Sequence, residues 1–450
     1  MKVIIIGAGG VGYVAAETLA ELHDVMVIEI DSDIAELVKN RLNVSVLNED
    51  GTNPRIIQQA LETHKADVII TTMKRDDSNL FVCLLAKRLK PNIVTVASVT
   101  NPDYIIPTST QEYPGIDIII SPELITAEMM YRLCTLENAL AYENISSFNM
   151  AVAIFEVNQY SNFIGEIVMN TYSLGDCSVI ALYRNNELFF QVDTMEIHVG
   201  DRLCVIGSQE ALQRYNEAMW VETTSRDIVI LGGTIVGMHL ATLLAKDDKK
   251  RYVRLIEKNE AHCREMSRLL TGVVIVNGDF TEPDLQSSEN IFRSDVLVSV
   301  TNQDDTNLLM CMSAQKYDTN KIISRYLKKE YKDIFMFTGL ATIIGFNGIV
   351  SNEVSKCVMS ESKVLLRMRN HDELFFVHEV TDHSKLYDKY YGDLVVPEGI
   401  RIASIYRQGQ AIYPAMDTKF IEGDRVIVFT NMINSKGLSK VFGRNAVSES

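Results

Sequence analysis

The sequence contains few cysteines, no long hydrophobic stretch and fewer basic than acidic residues. Its 7 cysteines are scattered over 450 residues, and none has the Cys-x-x-Cys spacing of zinc and redox sites. We therefore expect reduced structural thiols rather than a disulfide framework. The longest apolar runs, such as Val3–Ile6, have the length of a strand and fall far short of the roughly 20 residues that a membrane helix needs. We expect no membrane span and no direct lipid insertion.

Several motifs of catalysis and metal binding are also missing. The chain has no Gly-x-Ser-x-Gly nucleophile turn, no Walker phosphate loop and no pair of histidines spaced as His-x-x-x-His. A hydrolase or an ordinary ATPase would lack its reacting groups, and we predict no metal ligands. A nucleotide that binds this chain is therefore expected to be sensed and not consumed.

Charge and the N-terminal residues restrict the partners and the location. The formal net charge is −16, which repels a polyanion, so we expect no nucleic-acid partner. From Met1 the chain runs directly into an apolar strand and a glycine turn, without the apolar core and cleavage site of a signal peptide. We therefore expect a cytoplasmic protein.

The sequence does contain one long internal repeat. The strand Val3–Ile6 and its turn GAGGVG reappear as Ile228–Leu231 and GGTIVG. Between this point and the end of each repeat come an acid-ended strand, an Asp-x-Thr pair and a polar cluster with identical internal spacing. Later, YRNNELFF before VGDRL is matched by YRQGQAIYP before EGDRV. Each repeat therefore covers one large and one small domain.

The hydrophobic pattern within each repeat predicts the fold class. Short apolar strands alternate with helix-length amphipathic segments in the large part, which is typical of a parallel, doubly wound sheet. The small part has alternating strands, Gly-Asp turns and few long helices. The predicted fold class is α/β, with two Rossmann-type domains, each followed by a small α/β domain. The predicted ranges are 1–135, 145–218, 225–360 and 368–434.

The first glycine turn follows the Gly-x-Gly-x-x-Gly pattern of dinucleotide-binding loops. Its residues are Gly7, Gly9, Gly10, Val11 and Gly12. We expect a helix to begin near Val11, where backbone N–H groups would hold a pyrophosphate. Glu29 ends the second strand, where a carboxylate can accept hydrogen bonds from the ribose hydroxyls and disfavours a 2′-phosphate. The pattern favours NAD or an adenine nucleotide over NADP. The alternative is a glycine turn and a solvated acid that bind no ligand.

The second glycine turn is an altered copy of the first. Gly232 and Gly237 keep the first and third positions, but Thr234 replaces the middle glycine and is expected to push its side chain toward the phosphates. Glu257 still supplies the acid at the end of the next strand. Ligand binding and a degenerate copy kept for packing both remain open for this half.

The repeated polar cluster has two interpretations. Asp76 and Asp77, like Asp304 and Asp305, are adjacent carboxylates, but adjacent residues on a helix do not face one another. We interpret Asp77 or Asn79 as a cap of the next helix. The alternative is a cation site at a subunit contact.

Several segments together resemble the TrkA family, the cytosolic subunits of bacterial and archaeal Trk potassium transporters. These segments are GAGGVG with its acid-ended strand, TNQDDTN, ISPELITAEMMYRL, VGDRL and EGDRV, and the likeness extends from Met1 to about Met432. The resemblance implies two RCK (regulator of potassium conductance) units, each a Rossmann domain plus a TrkA-C domain. It also implies a homo-oligomeric ring beneath a TrkH- or TrkG-like potassium transporter, peripheral on the inner face of the membrane.

The resemblance further implies binding of NAD or NADH and, in many members, of ATP or ADP. The implied first-half ligands are Gly7, Gly9, Gly12, Glu29 and Asp50, with Thr52 and Thr72 nearby. The corresponding second-half candidates are Gly232, Gly237, Glu257, Asp279 and Arg325.

The chain departs from the family pattern after the fifth strand of the first half. TrkA-like proteins often carry arginines just before a Pro-Asp-Tyr triplet, and here Ser98 and Thr100 stand in those places. A triply charged nucleotide would lose its bidentate partner there, so we expect NAD or NADH in the first half. ATP or ADP is expected in the second half more than in the first, because Arg325 is retained.

The resemblance thus implies a non-enzymatic, nucleotide-sensing regulatory subunit that gates a Trk-type potassium transporter. Two alternatives remain. An NAD-dependent dehydrogenase would fit the fold of the first half, although the small domains offer no repeated pairing of His or Lys with a carboxylate. A free-standing cytosolic nucleotide sensor would fit because the sequence shows no identifiable channel contact.

Overall fold

The computed structural model describes residues 1–21, 23–105, 115–174, 176–185, 187–219, 226–247, 250–317, 319–340, 342–358, 364–368, 373–431 and 442. The predicted domain limits at residues 225, 360 and 434 lie outside the described residues.

The first large sheet is fully parallel. Its strands are β1 (Lys2–Ile6), β2 (Asp24–Glu29), β3 (Ser45–Asn48), β4 (Val68–Thr71), β5 (Val94–Ser98) and β6 (Ile118–Ile120). Their order, β3-β2-β1-β4-β5-β6, is that of a Rossmann fold. β1 is apolar from Val3 to Ile6 and fully buried, because the helices of such a fold cover both faces of the sheet.

The described residues of this half also form α-helices. They are α1 (Gly10–Leu19), α2 (Ser32–Arg41), α3 (Pro54–His64), α4 (Asp76–Leu89) and α5 (Pro122–Thr135). Local sequence fixes their starts: Asp31 caps α2, and Asn53 caps α3 ahead of a proline in the first turn.

The first small domain is an antiparallel sheet with one helix. Its elements are β7 (Ala139–Ile145), β8 (Met150–Glu156), β9 (Cys177–Arg184), β10 (Glu187–Phe189), β11 (Arg202–Gly207) and α6 (Gln209–Met219). The strand order is β10-β9-β11-β8-β7, and α6 packs on β8 and β11.

The second large sheet repeats the first. Its strands are β12 (Asp227–Leu231), β13 (Tyr252–Glu257), β14 (Val273–Asn277), β15 (Val296–Ser299), β16 (Lys321–Tyr326) and β17 (Ile343–Gly345). Its helices are α7 (Ile235–Ala245), α8 (Glu260–Leu269), α9 (Pro283–Ser288), α10 (Asp304–Lys316), α11 (Tyr331–Phe337) and α12 (Phe346–Val358). The order β14-β13-β12-β15-β16-β17 confirms the predicted duplication of a doubly wound sheet.

The second small sheet also matches the first. Its strands are β18 (Val364–Arg367), β19 (Glu373–Glu379), β20 (Ile400–Arg407), β21 (Gln410–Ile412) and β22 (Arg425–Asn431), in the order β18-β19-β22-β20-β21. Both small sheets include an edge strand, β7 or β18, that begins before the predicted start of the small domain. Short 3-10 helices lie at Pro102–Tyr104, Ser146–Phe148, Val168–Leu174, Ile291–Arg293 and Tyr391–Asp393.

The repeated Gly-Asp turn of the small domains anchors a matched ion pair. Arg184 donates to Asp201 at 2.7 and 2.6 Å, and Arg407 donates to Asp424 at 2.7 and 2.8 Å. Both carboxylates are buried, and the same arginines also donate to a backbone carbonyl. The turn therefore recurs in the sequence because each buried aspartate needs the same partner.

The two halves exchange the helices that follow their last parallel strands. α5 of the first half packs against α7 of the second, and α12 of the second half packs against α1 of the first. Val354 of α12 accordingly belongs to the same hydrophobic cluster as Ala15 and Ala16 of α1. Each glycine-turn helix is thus covered by the opposite half.

A buried lysine reinforces this exchange. Lys321, at the start of β16, donates to the carbonyls of Leu136, Glu137 and Ala139 at 2.7, 3.1 and 2.8 Å. These carbonyls follow the C-terminal end of α5, where a cation complements the helix dipole. Burial lowers the pKa of Lys321 to about 8. The nearby Cys134 and Glu137 act in the opposite direction and raise this pKa.

The two small domains also contact each other. Phe190 of the first packs against Phe429 of the second, with ring centroids 5.5 Å apart. Beside this apolar contact, Arg401 donates to both oxygens of Asp193 at 2.6 and 2.8 Å. No helix in the described part of the chain is long and apolar enough to cross a membrane.

Candidate functional site

The first glycine turn is shaped by two close backbone approaches. Gly7 has φ of +90°, a conformation that favours glycine, and its N–H donates to the Ile28 carbonyl at 2.9 Å. A Cβ added at Gly12 would lie 1.9 Å from the Gly7 carbonyl oxygen. The turn can therefore bring α1 against β1 only with glycine at these positions.

The start of α1 is open. The helix begins at Gly10, one residue before the predicted position. Its N-cap residue is Gly9, which has no side chain to bond the first N–H groups of the helix. A Cβ at Gly9 would meet nothing within 4 Å. The first N–H groups of a helix have no partner within it, so those of Gly10, Val11 and Gly12 are suited to an anion such as a pyrophosphate.

Glu29 lies beside this turn as predicted, but its carboxylate is buried and already bonded. It accepts hydrogen bonds from the N–H of Ala8 at 2.5 Å and from the N–H of Asp31 at 2.9 Å. These bonds fix the direction of the carboxylate, and each oxygen keeps a further lone pair. A ribose hydroxyl that donates to Glu29 would find it preorganised.

The other first-half candidates lie in two different places. Asp50 accepts from the backbone N–H of Thr52 at 2.9 Å and from its hydroxyl at 2.7 Å, in an exposed turn after β3. Thr72, in contrast, donates to the Gly7 carbonyl at 2.7 Å. Thr72 therefore stabilises the glycine turn through a hydrogen bond to its backbone.

The second glycine turn keeps the backbone geometry of the first. Gly232 has φ of +106°, and a Cβ at Gly237 would lie 2.3 Å from the Gly232 carbonyl oxygen. Glu257 accepts from the N–H groups of Gly233 and Asn259, both at 2.9 Å. Asp279 bonds Thr281 in the same way as Asp50 bonds Thr52.

Thr234 lies at the start of α7, where the phosphates of a nucleotide would bind. Its hydroxyl caps the helix. It accepts from the N–H of Gly237 at 3.3 Å and donates to the Val300 carbonyl at 2.9 Å. In the second half, the Thr234 hydroxyl bonds an N–H group at the helix start. In the first half, Gly9 leaves the equivalent group without a side-chain partner.

Arg325 is buried and engaged by its own half. Its guanidinium donates to the Thr301 carbonyl at 3.2 Å and to the side chain of Asn302 at 2.7 Å. It also lies over the Phe346 ring, 5.7 Å from the centroid. Burial lowers its pKa to about 10, opposed by the carboxylates of Glu123 and Asp304. A phosphate in the second half would have to compete with these contacts.

The repeated polar clusters connect α4 and α10 to the neighbouring strand ends. Asp76 accepts from the N–H groups of Thr100 and Asn101 at 2.9 and 2.8 Å, and Asp304 accepts from those of Leu327 and Lys328 at 2.8 and 2.9 Å. Sequence reasoning missed this role, although the identical spacing in both halves signalled a shared constraint.

The predicted side-chain cap of the next helix is not found, because the N-cap of α4 is Arg75 and makes no side-chain capping hydrogen bond. Asp77 accepts from the N–H of Ser78 in the first turn of α4 at 2.8 Å and pairs with Arg75. Asn79 is not a cap, because its amide bonds both the N–H and the carbonyl of Met73 and also the Ser98 carbonyl. Among the described residues, no group of three or more His, Cys, Asp or Glu is placed to hold a metal ion.

The helix exchange brings one residue of each half to the opposite half. Asn347, the second residue of α12, lies against the first turn, where a Cβ at Gly10 would be 3.4 Å from its amide atoms. The sheet register makes Glu123 of α5 its counterpart, since Ile120 pairs with Ser98 as Ile344 pairs with Arg325. Only the alignment of the two repeats could have signalled Asn347 in advance.

Glu123 carries an unusual carboxyl group. Its Oε2 atom is buried and has no hydrogen-bond partner among the described residues. Burial raises the pKa of Glu123 to about 7, with the Arg325 guanidinium opposing and Asp76 adding to the rise.

Sheet order, glycine turns and helix exchange define a duplicated Rossmann-fold protein with two unequal turns. The TrkA-N domain family model matches residues 3–122 and 228–345. These ranges cover more than half of the chain and contain both glycine turns, and the protein belongs to this family. The predicted family resemblance is confirmed.

Curated relatives and a solved structure can each be aligned with nearly the whole length of this chain. The Trk system potassium uptake protein TrkA homolog 1 of Methanosarcina mazei is 28% identical over 452 residues, covering 98% of this chain and 100% of the relative. The TrkA of Vibrio alginolyticus is 25% identical, covering 98% of both chains. The GsuK channel bound to NAD has a similar fold, with a TM-score of 0.64 and 17% identity over 98% of this chain and 78% of that one.

The Glu123 carboxyl predicts a specific pH dependence of stability. Its pKa is raised in the folded state from 4.5 to about 7, so the folded protein holds this proton more strongly than the unfolded chain. The contribution is present below about pH 4.5 and is lost as the pH rises through about 7. Between about pH 5 and pH 7.5, we expect wild type to lose roughly 2 kcal/mol of unfolding free energy relative to Glu123→Gln.

Denaturant unfolding at several pH values measures this difference. Glu36→Gln, a change at an exposed position of α2, serves as the matched control and should follow the wild-type curve. Parallel curves for wild type and Glu123→Gln would show that this carboxyl is not perturbed.

Proposed function

We propose that this chain is a nucleotide-sensing regulatory subunit of a Trk-type potassium uptake system, and that its first half binds NAD or NADH. Membership of the TrkA-N family and full-length relatives named as Trk potassium uptake proteins support the transport role. The chain is proposed to act without catalysing a reaction, as a cytoplasmic protein held at the inner face of the membrane by its partner.

The open start of α1 is the observation that carries the nucleotide assignment. An uncapped helix start, a turn closed by Gly7 and Gly12, and a fixed carboxylate at Glu29 together fit the pyrophosphate and ribose of a dinucleotide. When bound, the nucleotide supplies negative charge at the helix start. We propose the N–H groups of Gly10, Val11 and Gly12 as phosphate contacts, with the phosphates lying beside Gly9.

The adenine side of the proposed site is less enclosed. Asp50 and Thr52 lie in an exposed turn at the carboxyl edge of the sheet, where adenine would extend from the ribose. Ser98 and Thr100 offer no guanidinium for a triphosphate, which favours NAD or NADH over ATP here.

The second half is proposed as the weaker nucleotide site. Gly232, Gly237, Glu257 and Asp279 keep the pattern, but Thr234 occupies a helix N–H. ATP or ADP in this half would have to displace the Thr234 hydroxyl and recruit Arg325 from its present bonds.

Exposed apolar side chains on equivalent helices support assembly into a homo-oligomeric ring. Phe81 and Leu84 on α4 are 48% and 44% exposed, and the equivalent Leu309 and Met312 on α10 are 59% and 45% exposed. Each chain therefore presents two related apolar faces, and contact of one face with the other on a neighbouring copy can close into a ring. We propose such a ring beneath a TrkH- or TrkG-like membrane protein.

A paired substitution tests the nucleotide assignment. Gly9→Asp should weaken NADH binding at least about tenfold, because it places a carboxylate where the phosphates would lie and blocks the helix start. The substitution fits sterically, since a Cβ at Gly9 meets nothing within 4 Å. Calorimetric titration of NADH, ATP and ADP measures the effect.

Thr234→Asp is the matched control in the second half. Aspartate also caps helices well, so this variant should fold and bind NADH as the wild type does. Unchanged NADH binding by Gly9→Asp would refute the first-half assignment, and loss of binding in Thr234→Asp would move the site to the second half.

Purification from native membranes tests the transport role. A tagged chain isolated in mild detergent should retain a multi-spanning potassium transporter, identified by mass spectrometry. Recovery of soluble proteins alone would instead support a free-standing nucleotide sensor.

A further inference from the structure

We propose that Asn347, although it belongs to the second half, is a ligand-contacting residue of the first-half nucleotide site and donates a hydrogen bond to the phosphates of NADH. This inference rests on the proposed function and adds a residue that lies 335 positions beyond Gly12 in the numbering of the chain. The site would thereby be shared between the two halves.

The position of Asn347 carries the first step. Both amide atoms of this side chain lie 3.4 Å from the point where a Cβ of Gly10 would be. Gly10 is the first residue of α1, whose N–H groups are the proposed phosphate contacts. The absence of a side chain at Gly10 therefore leaves the amide of Asn347 directly beside the helix start.

The orientation of the amide carries the second step. One N–H of Asn347 donates to the Leu327 carbonyl at 2.8 Å, and the N–H of Leu327 is in turn held by Asp304 at 2.8 Å. The amide is therefore fixed in place by its own half. A side-chain amide has two N–H donors, and the second makes no hydrogen bond to any described residue.

The third step concerns the hydrogen-bond donors that a bound pyrophosphate would require. In the first half, Ser98 occupies the position of Arg325, so this half supplies no guanidinium there. A pyrophosphate at α1 would be met by backbone N–H groups on one side. The free N–H of Asn347 supplies a neutral donor from the other side, without the cost of burying a second charge.

A shared site has a regulatory consequence. α12 packs on α1, and Lys329 also reaches Glu17 of α1 at 3.3 Å. A ligand that contacts both α1 and Asn347 binds more tightly when the halves are in the arrangement that brings these groups together. Ligand binding therefore favours that arrangement by the difference in affinity.

Two substitutions of Asn347 test separately the loss of its hydrogen bond and the addition of a negative charge. Asn347→Ser shortens the side chain and removes both amide N–H donors, and should weaken NADH binding roughly threefold to tenfold. Asn347→Asp also adds a negative charge beside the phosphates, and should weaken it by at least about thirtyfold. Glu123→Gln, at the equivalent position of the first half, is the control and should bind NADH as the wild type does.

Calorimetric titration of the full chain with NADH, with thermal unfolding to verify each fold, decides the outcome. If the aspartate variant does not fold, the comparison of Asn347→Ser with wild type carries the test. Wild-type affinity in the folded Asn347 variants would overturn this inference while leaving the proposed function intact. A wild-type protein that binds no NADH would contradict both.

Discussion

The packing of each half's last helix on the other half's glycine-turn helix is the contact on which the rest of the molecule depends. α5 lies on α7, and α12 lies on α1, so neither Rossmann sheet has its full helical cover without the opposite half. Buried apolar side chains supply most of this contact, and Lys321 adds hydrogen bonds to the end of α5. Both glycine turns consequently lie at the boundary between the halves. The affinity for a ligand bound there can depend on how the two halves are arranged.

The two halves share the same backbone fold but carry different side chains at equivalent positions of their glycine turns. Matched bonds keep the backbone of the two halves alike, as in the ion pairs of Asp201 and Asp424. At the two glycine turns, differences in a few side chains change the chemistry. The Thr234 hydroxyl occupies an N–H group at a helix start that Gly9 leaves open, and Arg325 has no counterpart in the first half. Duplication thus preserved the fold, while the chemistry of the two turns diverged.

The fold could be predicted from the sequence because its signals are local. A buried apolar strand, a glycine turn and an acid at the end of the next strand occupy about thirty residues, and each depends on the conformation of its own segment. The position of Glu29 beside the turn follows directly from strand pairing. The repeat then extends these local signals to the whole chain.

Side-chain direction and distant contacts could not be predicted in the same way. The Thr234 hydroxyl donates to the Val300 carbonyl, which the sequence of the turn does not reveal. Asp76 bonds backbone N–H groups 24 and 25 residues away, and backbone donors carry no residue signature. Asn347 reaches the first turn only because α12 crosses to the other half.

The number of NADH molecules bound by each chain tests the proposed inequality of the two turns most directly. Native mass spectrometry of the assembled protein at saturating NADH should show one nucleotide per chain, since the Thr234 hydroxyl already occupies an N–H group at the second helix start. Two equivalent NADH molecules per chain would contradict this assignment and show that the two halves remain equal sensors.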